Sequence, residues 1–232
     1  MATCLTLENL SWAAPGGRVL GKNLSLDLKR GQVLWIQGPN GSGKSTLIHT
    51  LLGDIQPAAG RLKNFIQAAQ TGYLPQVQNR ECHLPLTLGE VIELSGKNYG
   101  DAKGSPLVAP DRLSLAWNQA SGGERQRTLL LREILRAPEL LYLDEPFNHL
   151  DEPSKIMIRG FLMQLLHAPD APAIVLVSHG GIGTETSLPN GGYHLQLTTE
   201  GSFSLKEISK LLSPGVDPDQ VGSFETDSGE TA

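Results

Sequence analysis

The stretch GPNGSGKST, Gly38 to Thr46, constrains the fold of this chain more than any other feature of its sequence. It fits the pattern G-x-x-x-x-G-K-[ST], follows the short apolar run Val33 to Gln37, and opens a helical segment, Lys44 to Leu52. Glycines let the backbone N–H groups of such a loop wrap a phosphate. A strand, a glycine-rich loop and a helix in this order predict a nucleotide-binding α/β domain.

The side chains of this loop have separate tasks. The Lys44 ammonium is expected to reach the β- and γ-phosphates, and the Ser45 hydroxyl is expected to ligate Mg²⁺. We therefore predict that the chain binds ATP and Mg²⁺. The predicted nucleotide-binding residues of the loop are Asn40, Gly41, Ser42, Gly43, Lys44, Ser45 and Thr46.

Apolar runs alternate with helical segments along the rest of the chain. Leu140 to Leu143 and Ala173 to Val177 are typical of buried strands, and each follows a helical segment. This alternation predicts an α/β fold, a P-loop NTPase core with a mostly parallel sheet. Thr3 to Leu7 and Leu24 to Leu28 alternate as half-buried strands do, so we expect an antiparallel β part at the N-terminus.

The domain organisation follows from where strand patterns are missing. No strand pattern occurs between Val77 and Ala137, so residues 77–137 are predicted to form a helical subdomain inserted into the core. The core would then comprise residues 1–76 and 138–212. Residues 213–232 contain five acidic and no basic residues, which predicts a disordered acidic tail.

Charge, cysteines and hydropathy exclude several classes of protein. A net charge of −5 argues against nucleic acid as the main partner. Cys4 and Cys82 form no C-x-x-C pair, which predicts reduced thiols. Without a signal-peptide pattern or a run of about 18 apolar residues, the sequence is typical of a soluble cytoplasmic protein that is free to dock on a membrane partner.

Two carboxylates and a histidine stand at predicted strand ends. Asp144, in LLYLDEP, is expected to hold the Mg²⁺ shell, and Glu145 to polarise an attacking water. His179 follows the strand that ends at Val177, and we expect it to contact the γ-phosphate and to order Glu145. Solvated strand ends are the alternative interpretation, and the phosphate loop decides against it.

The residues ASGGE, Ala120 to Glu124, form a second anion cradle. Ser121, Gly122 and Gly123 precede the amphipathic segment Arg125 to Arg136, so free backbone N–H groups and the helix dipole favour a phosphate. A capping box between Ser121 and Glu124 also explains this pattern, and both explanations can hold together. A chain with a single evident nucleotide site has no use of its own for a second cradle.

The order of phosphate loop, glutamine, Ser-Gly-Gly, Asp-Glu and histidine resembles that of the ATP-binding cassette (ABC) ATPases, from about Thr3 to about His179. In that family a sheet core carries a helical subdomain with the Ser-Gly-Gly signature. Two subunits pack head to tail, and each ATP lies between one phosphate loop and the other subunit's signature. The resemblance implies that Ser121, Gly122, Gly123 and Glu124 complete the nucleotide site of a second copy.

Further roles follow from the resemblance alone. Gln76, in YLPQ, resembles the Q-loop glutamine, which ligates Mg²⁺ and senses the attached subunit, and is assigned to catalysis with Glu145 and His179. The segment Asn148 to Asp151 resembles the D-loop, which crosses the dimer interface. The chain departs from the family pattern at four positions, namely Ala120, Glu124, Phe147 and Gly180.

The adenine contact is a further departure. The aromatic residue that usually stacks on adenine should fall near Ala14 and is absent there. Trp12 is close enough to replace it, and it is the predicted cofactor-binding aromatic. A tryptophan packed inside a strand is the open alternative.

The segment LPLTLGEVIEL, Leu84 to Leu94, resembles one in cassettes of zinc and manganese importers, where it receives the coupling helix of a permease. The resemblance implies an ATPase subunit at the cytoplasmic face of the cell membrane that energises import of a divalent metal. Its partners would be permease subunits and, through them, a substrate-binding protein. The alternative interpretation is a purely structural one, in which this segment is the apolar face of a helix in the subdomain.

The segments DEPFNHLD and SGGE also resemble the corresponding segments of translation-associated cassette proteins. A soluble, non-transport ATPase is therefore the rival function. Those proteins carry two cassettes joined by a charged linker, whereas this chain has one cassette and an acidic tail, which suits ribosomal RNA poorly.

Overall fold

The computed structural model describes residues 1–76, 85–98, 100, 105–179, 182 and 187–210. The predicted tail, residues 213–232, and Cys82 lie outside them. The described helices are α1 (Lys44–Leu52), α2 (Leu88–Glu93), α3 (Gly122–Leu135) and α4 (Glu152–His167). The strands are β1 (Thr3–Ala13), β2 (Val19–Lys29), β3 (Val33–Gln37), β4 (Ala59–Asn64), β5 (Thr71–Leu74), β6 (Leu140–Asp144), β7 (Ala173–Val177), β8 (Ser187–Leu188), β9 (Gly192–Leu197) and β10 (Phe203–Lys210).

A large sheet has the strand order β5-β6-β7-β3-β9-β10-β8. The neighbours from β5 to β9 run parallel, whereas β10 pairs antiparallel with β9. Strands β6 and β7 are buried along their whole length, as parallel strands covered on both faces must be. The predicted α/β fold with a mostly parallel sheet is confirmed.

A smaller antiparallel sheet packs beside the large one, with β1 between β2 and β4. This confirms the predicted antiparallel part at the N-terminus. Its apolar residues share one core with α1 and one face of the large sheet. A second core lies between the opposite face of that sheet, α3 and α4.

The stretch between the two halves of the core contains α2, α3 and short 3₁₀ turns among its described residues. Thr87 and Ala116 form an isolated β-bridge there. The boundaries of the inserted subdomain stay a prediction, because residues 77–84 lie outside the described chain. Within the described part of the chain, no helix combines the length and the apolar character needed to cross a bilayer.

Candidate functional site

The carboxyl ends of β3, β5, β6 and β7 meet at one edge of the large sheet, and the predicted residues follow them. In parallel sheets this edge is the usual place for a ligand. A cleft of about 550 Å³ opens there, a volume suited to a nucleotide. Its lining residues are Ala14, Arg18, Leu20, Asn40, Gly41, Gly43, Lys44, Ser45, Thr46, Gln76, Glu145, Asn148, His149 and His179.

The phosphate loop curls around the Lys44 side chain, which is 8% exposed. Its Nζ donates to the carbonyl oxygens of Gly38, at 2.8 Å, and Pro39, at 3.1 Å. Gly43, the N-cap of α1, has φ +94°, and a Cβ there would lie 2.9 Å from Leu20 Cβ. Only glycine suits that position, so this backbone places the lysine ammonium and the first N–H groups of α1 at the cleft.

Asp144 ends β6 as a buried carboxylate. Among the described residues its Oδ1 has no hydrogen-bond partner. Burial raises the pKa of this carboxyl, and the neighbouring His49 and Lys44 side chains lower it. An unpaired, buried carboxylate oxygen beside a phosphate loop fits a hard cation such as Mg²⁺.

Glu145 follows Asp144 with a left-handed backbone, φ +51°. Its N–H donates to the Val177 carbonyl at 2.8 Å, which ties it to the end of β7. His179 Nε2 lies 3.7 Å from Glu145 Oε1. Burial raises the pKa of the Glu145 carboxyl, while His179 and Lys44 lower it. The structure thus brings Glu145 and His179 together at the cleft.

The Ser-Gly-Gly signature lines a different cleft, of about 560 Å³. Among the described residues, His149 is the one that lines both this cleft and the cleft at the phosphate loop. This histidine has a left-handed backbone, φ +59°. Within one chain the signature therefore does not complete the cleft of the phosphate loop. The lining residues are Ser121, Gly122, Gly123, Glu124, Arg127, His149, Asp151, Pro153, Ser154 and Met157.

The capping box predicted for ASGGE is present. Ser121 Oγ accepts from Glu124 N–H at 3.2 Å, and Ser121 N–H donates to Glu124 Oε2 at 2.8 Å. Arg112 Nε donates to the other Glu124 oxygen at 2.7 Å. The Arg112 guanidinium, followed by the donors of Ser121, lowers the pKa of Glu124 to about 2. A direct contact of Glu124 with nucleotide stays a prediction.

The prediction that Trp12 stacks on adenine is wrong for this structure. Trp12 is fully buried, and its ring centroid lies 6.0 Å from that of Phe203. A Cβ on Gly21 would lie 2.1 Å from the ring, so the indole fills the space that this glycine leaves. The alternative, a tryptophan packed inside a strand, is what the structure shows.

Arg18 is a polar cleft residue that the sequence reasoning missed. It lines the nucleotide cleft beside Ala14, where the family places its adenine-stacking aromatic. The tight turn between β1 and β2 brings it there, with Ala14 N–H donating to the Arg18 carbonyl at 2.9 Å. The signal was the sequence Pro15-Gly16-Gly17, which predicts a turn and hence the return of the next residue to the same edge.

Phe147, which stands where the family often has threonine, is buried against α4. The Arg159 guanidinium lies 5.1 Å from the centre of its ring. This contact anchors the segment that follows Glu145, so the departure at position 147 replaces a small polar side chain by a packed one.

The family model for ABC transporters matches residues 21–148, more than half of the chain. The chain belongs to the ABC transporter family. It is an ATP-binding, ATP-hydrolysing cassette of a transporter, and the predicted resemblance is confirmed. One relative is the zinc import ATP-binding protein ZnuC of Photorhabdus laumondii subsp. laumondii, 37% identical over 188 residues, which are 77% of this cassette and 70% of that protein.

Solved structures confirm the cassette fold. One is a metal-chelate-type ABC transporter in an inward-facing conformation, with a TM-score of 0.73, 23% identity, and 89% and 84% of the two chains covered. Another is a dimeric ATP-binding cassette in a post-hydrolysis state with ADP and phosphate, with a TM-score of 0.66, 22% identity, and 88% and 99% covered. Among the described residues of the cassette, no group of three or more His, Cys, Asp and Glu could hold a metal ion.

Proposed function

We propose that this cassette hydrolyses ATP to energise a membrane permease that imports zinc. The observation that carries the proposal is the identity of 37% across 77% of the chain with a protein named for zinc import. The cassette need not touch the transported ion, so the metal would be handled by the permease and by a substrate-binding protein that delivers it. The chain would dock peripherally, on the cytoplasmic face of the membrane.

The positions of the polar side chains at the cleft support the following roles in ATP hydrolysis. Lys44 and the loop amides would bind the β- and γ-phosphates, and Glu145 would orient the attacking water with His179 beside it. Ser45, Gln76 and Asp144 would hold Mg²⁺. The ion would neutralise charge that develops on the phosphates.

The separation of the two clefts supports a shared site. Ser121 and Gly123 line their own cleft, away from the phosphate loop of the same chain. We propose that they reach the γ-phosphate bound to a second copy, packed head to tail. A phosphate held from both sides joins the two copies, and its loss releases them, so that binding energy becomes a dimer switch.

The segment around α2 is the proposed docking place of the permease. Leu88, Val91 and Ile92 are buried inside the protein, which agrees with the alternative interpretation of this segment as the apolar face of a subdomain helix. Leu94 is 65% exposed at the end of the helix. The proposed docking of a permease helix on this segment therefore rests on the resemblance of Leu84 to Leu94 to the corresponding segment of importer cassettes.

Metal accumulation in cells lacking this chain tests the proposal. Re-expressing the wild-type chain should restore zinc uptake, whereas the Glu145→Gln chain should not, although it folds and binds ATP. Manganese uptake, measured in parallel, identifies the metal. Zinc uptake that is unchanged by loss of the chain, or restored equally by Glu145→Gln, would contradict the proposal.

A further inference from the structure

Two side chains of β3 donate hydrogen bonds to the main-chain carbonyls that precede and follow the Cα atom of His179. The Trp35 indole Nε1 donates to the Ser178 carbonyl at 3.2 Å. The Gln37 amide Nε2 donates to the His179 carbonyl at 2.7 Å. Strand β3 lies beside β7, with Ile36 opposite Val177, so these bonds continue across the end of the two strands.

His194, on β9 at the other side of β3, contacts both of these donors. Its ring stacks on Trp35 with centroids 4.1 Å apart and an angle of 13° between the planes. Its Nε2 lies 3.0 Å from Gln37 Oε1. Since Gln37 donates through Nε2 to a carbonyl, its Oε1 must accept, and His194 Nε2 therefore carries the proton of this hydrogen bond.

We propose that Trp35, Gln37 and His194 form a switch clamp, a set of positioning residues that fixes His179 against Glu145. The clamp deepens the proposed function, because it rests on the role given there to His179. It spans three neighbouring strands, from β9 through β3 to the end of β7. None of its three residues lines the nucleotide cleft.

The need for a clamp follows from the exposed position of the His179 side chain. The His179 side chain is 59% exposed, and its Nε2 stands 3.7 Å from Glu145 Oε1. Glu145 is tied by its own N–H to Val177, only two residues before His179. Hydrogen bonds to the Ser178 and His179 carbonyls therefore help to position both Glu145 and His179. A misplacement of a catalytic group by about 1 Å can lower the rate about 100-fold.

Single substitutions separate the clamp from general packing. Gln37→Met keeps the volume but removes both hydrogen bonds, and Gln37→Glu turns the donor to the His179 carbonyl into an acceptor. His194→Phe keeps the stack on Trp35 but removes the N–H. We expect kcat of the full chain with MgATP to fall about tenfold in each, with KM for ATP within about twofold. Gln67→Met, at an exposed glutamine outside β3 and β9, is the matched control and should keep the wild-type kcat.

The decisive measurement repeats Gln37→Met in a His179→Ala chain under single-turnover conditions. If the clamp acts through His179, Gln37→Met should lower the rate no further there. An equal fold loss in both backgrounds, or a parallel fall of kcat and Tm, overturns the clamp and leaves these residues a structural role. If His179→Ala alone keeps the wild-type rate, the role proposed for His179 fails first.

Discussion

At the residue scale, the nucleotide cleft depends on one buried lysine whose ammonium is held by two carbonyls of its own loop. Lys44→Ala should abolish ATP binding, because the loop then has no charge to offset the β- and γ-phosphates. Calorimetric titration with MgATP measures this loss. Lys22→Ala, an exposed lysine of β2, is the control, and an unchanged affinity of the Lys44→Ala chain would disprove the role of the loop.

Arg18 offers a planar guanidinium where the family usually places an aromatic ring. We predict that it stacks on adenine, so that Arg18→Ala raises KM for ATP about two- to fivefold and leaves kcat unchanged, as expected for loss of about 0.5–1 kcal/mol. Arg18→Lys keeps the positive charge but loses the planar guanidinium. A raised KM for ATP in this variant indicates stacking, and an unchanged KM indicates attraction by charge.

Competition with tripolyphosphate checks where Arg18 acts. This ligand has the phosphates but lacks the base, so its inhibition constant should be the same in the wild-type and Arg18→Ala chains. A parallel weakening of ATP and tripolyphosphate would place Arg18 at the phosphates instead of at the base.

At the scale of elements, the N-terminus of α3 is fixed by a capping box and an ion pair that share Glu124. The folded-state pKa of about 2 lies below the ordinary value of 4.5, so the ionised carboxylate stabilises the folded chain. The stabilisation is fully present above about pH 4.5 and is lost as the pH falls toward about 2. At neutral pH, Ser121→Ala should cost about 1 kcal/mol of unfolding free energy.

Denaturant unfolding of the wild-type and Glu124→Gln chains at several pH values measures this effect. The wild-type advantage should shrink as the pH falls below about 4.5. Glu93→Gln, on the exposed side of α2, is the control because it caps no helix N-terminus. A wild-type advantage that does not change with pH would contradict the ion pair and the cap.

The elements that the sequence predicts well are those with strong local signals. The strands β3 and β7 and the helix α1 have the predicted bounds, because each is an apolar run or a helix bounded by glycine. Strand β4, AGRLKN, is mostly exposed and polar, and it is a strand because β1 pairs with it. Such pairing comes from tertiary structure, which local propensity does not encode.

Prediction of the site from the sequence has the same limit, because local motifs are recognised and long-range contacts are not. Lys44, Glu145 and His179 were predicted from motifs, because strand ends and a glycine loop have sequence signatures. Trp12 was misplaced, since β1 has register irregularities around Leu10 and Trp12 that change which face each residue occupies. The switch clamp joins β3 to β9 across about 160 residues of sequence, a contact that only the sheet order reveals.

At the scale of the whole molecule, the phosphate loop and the signature of one chain line separate clefts, and we propose that each cleft is half of a site shared with a second copy. A Lys44→Ala chain loses its own phosphate loop, and a Ser121→Arg chain loses the signature that it lends. Mixing the two should restore ATPase activity, because the mixed dimer contains one composite site with both intact halves. A mixture as inactive as its parts, or full activity in either variant alone, would contradict sharing between copies.

The most direct test of the shared site is the mass of the Glu145→Gln chain, measured by light scattering with and without MgATP. The account predicts a monomer of 24.9 kDa without nucleotide and a stable dimer with ATP, because the phosphate joins both halves and is not cleaved. A chain that stays monomeric at saturating ATP, while the wild-type monomer hydrolyses ATP at its full rate, would contradict it.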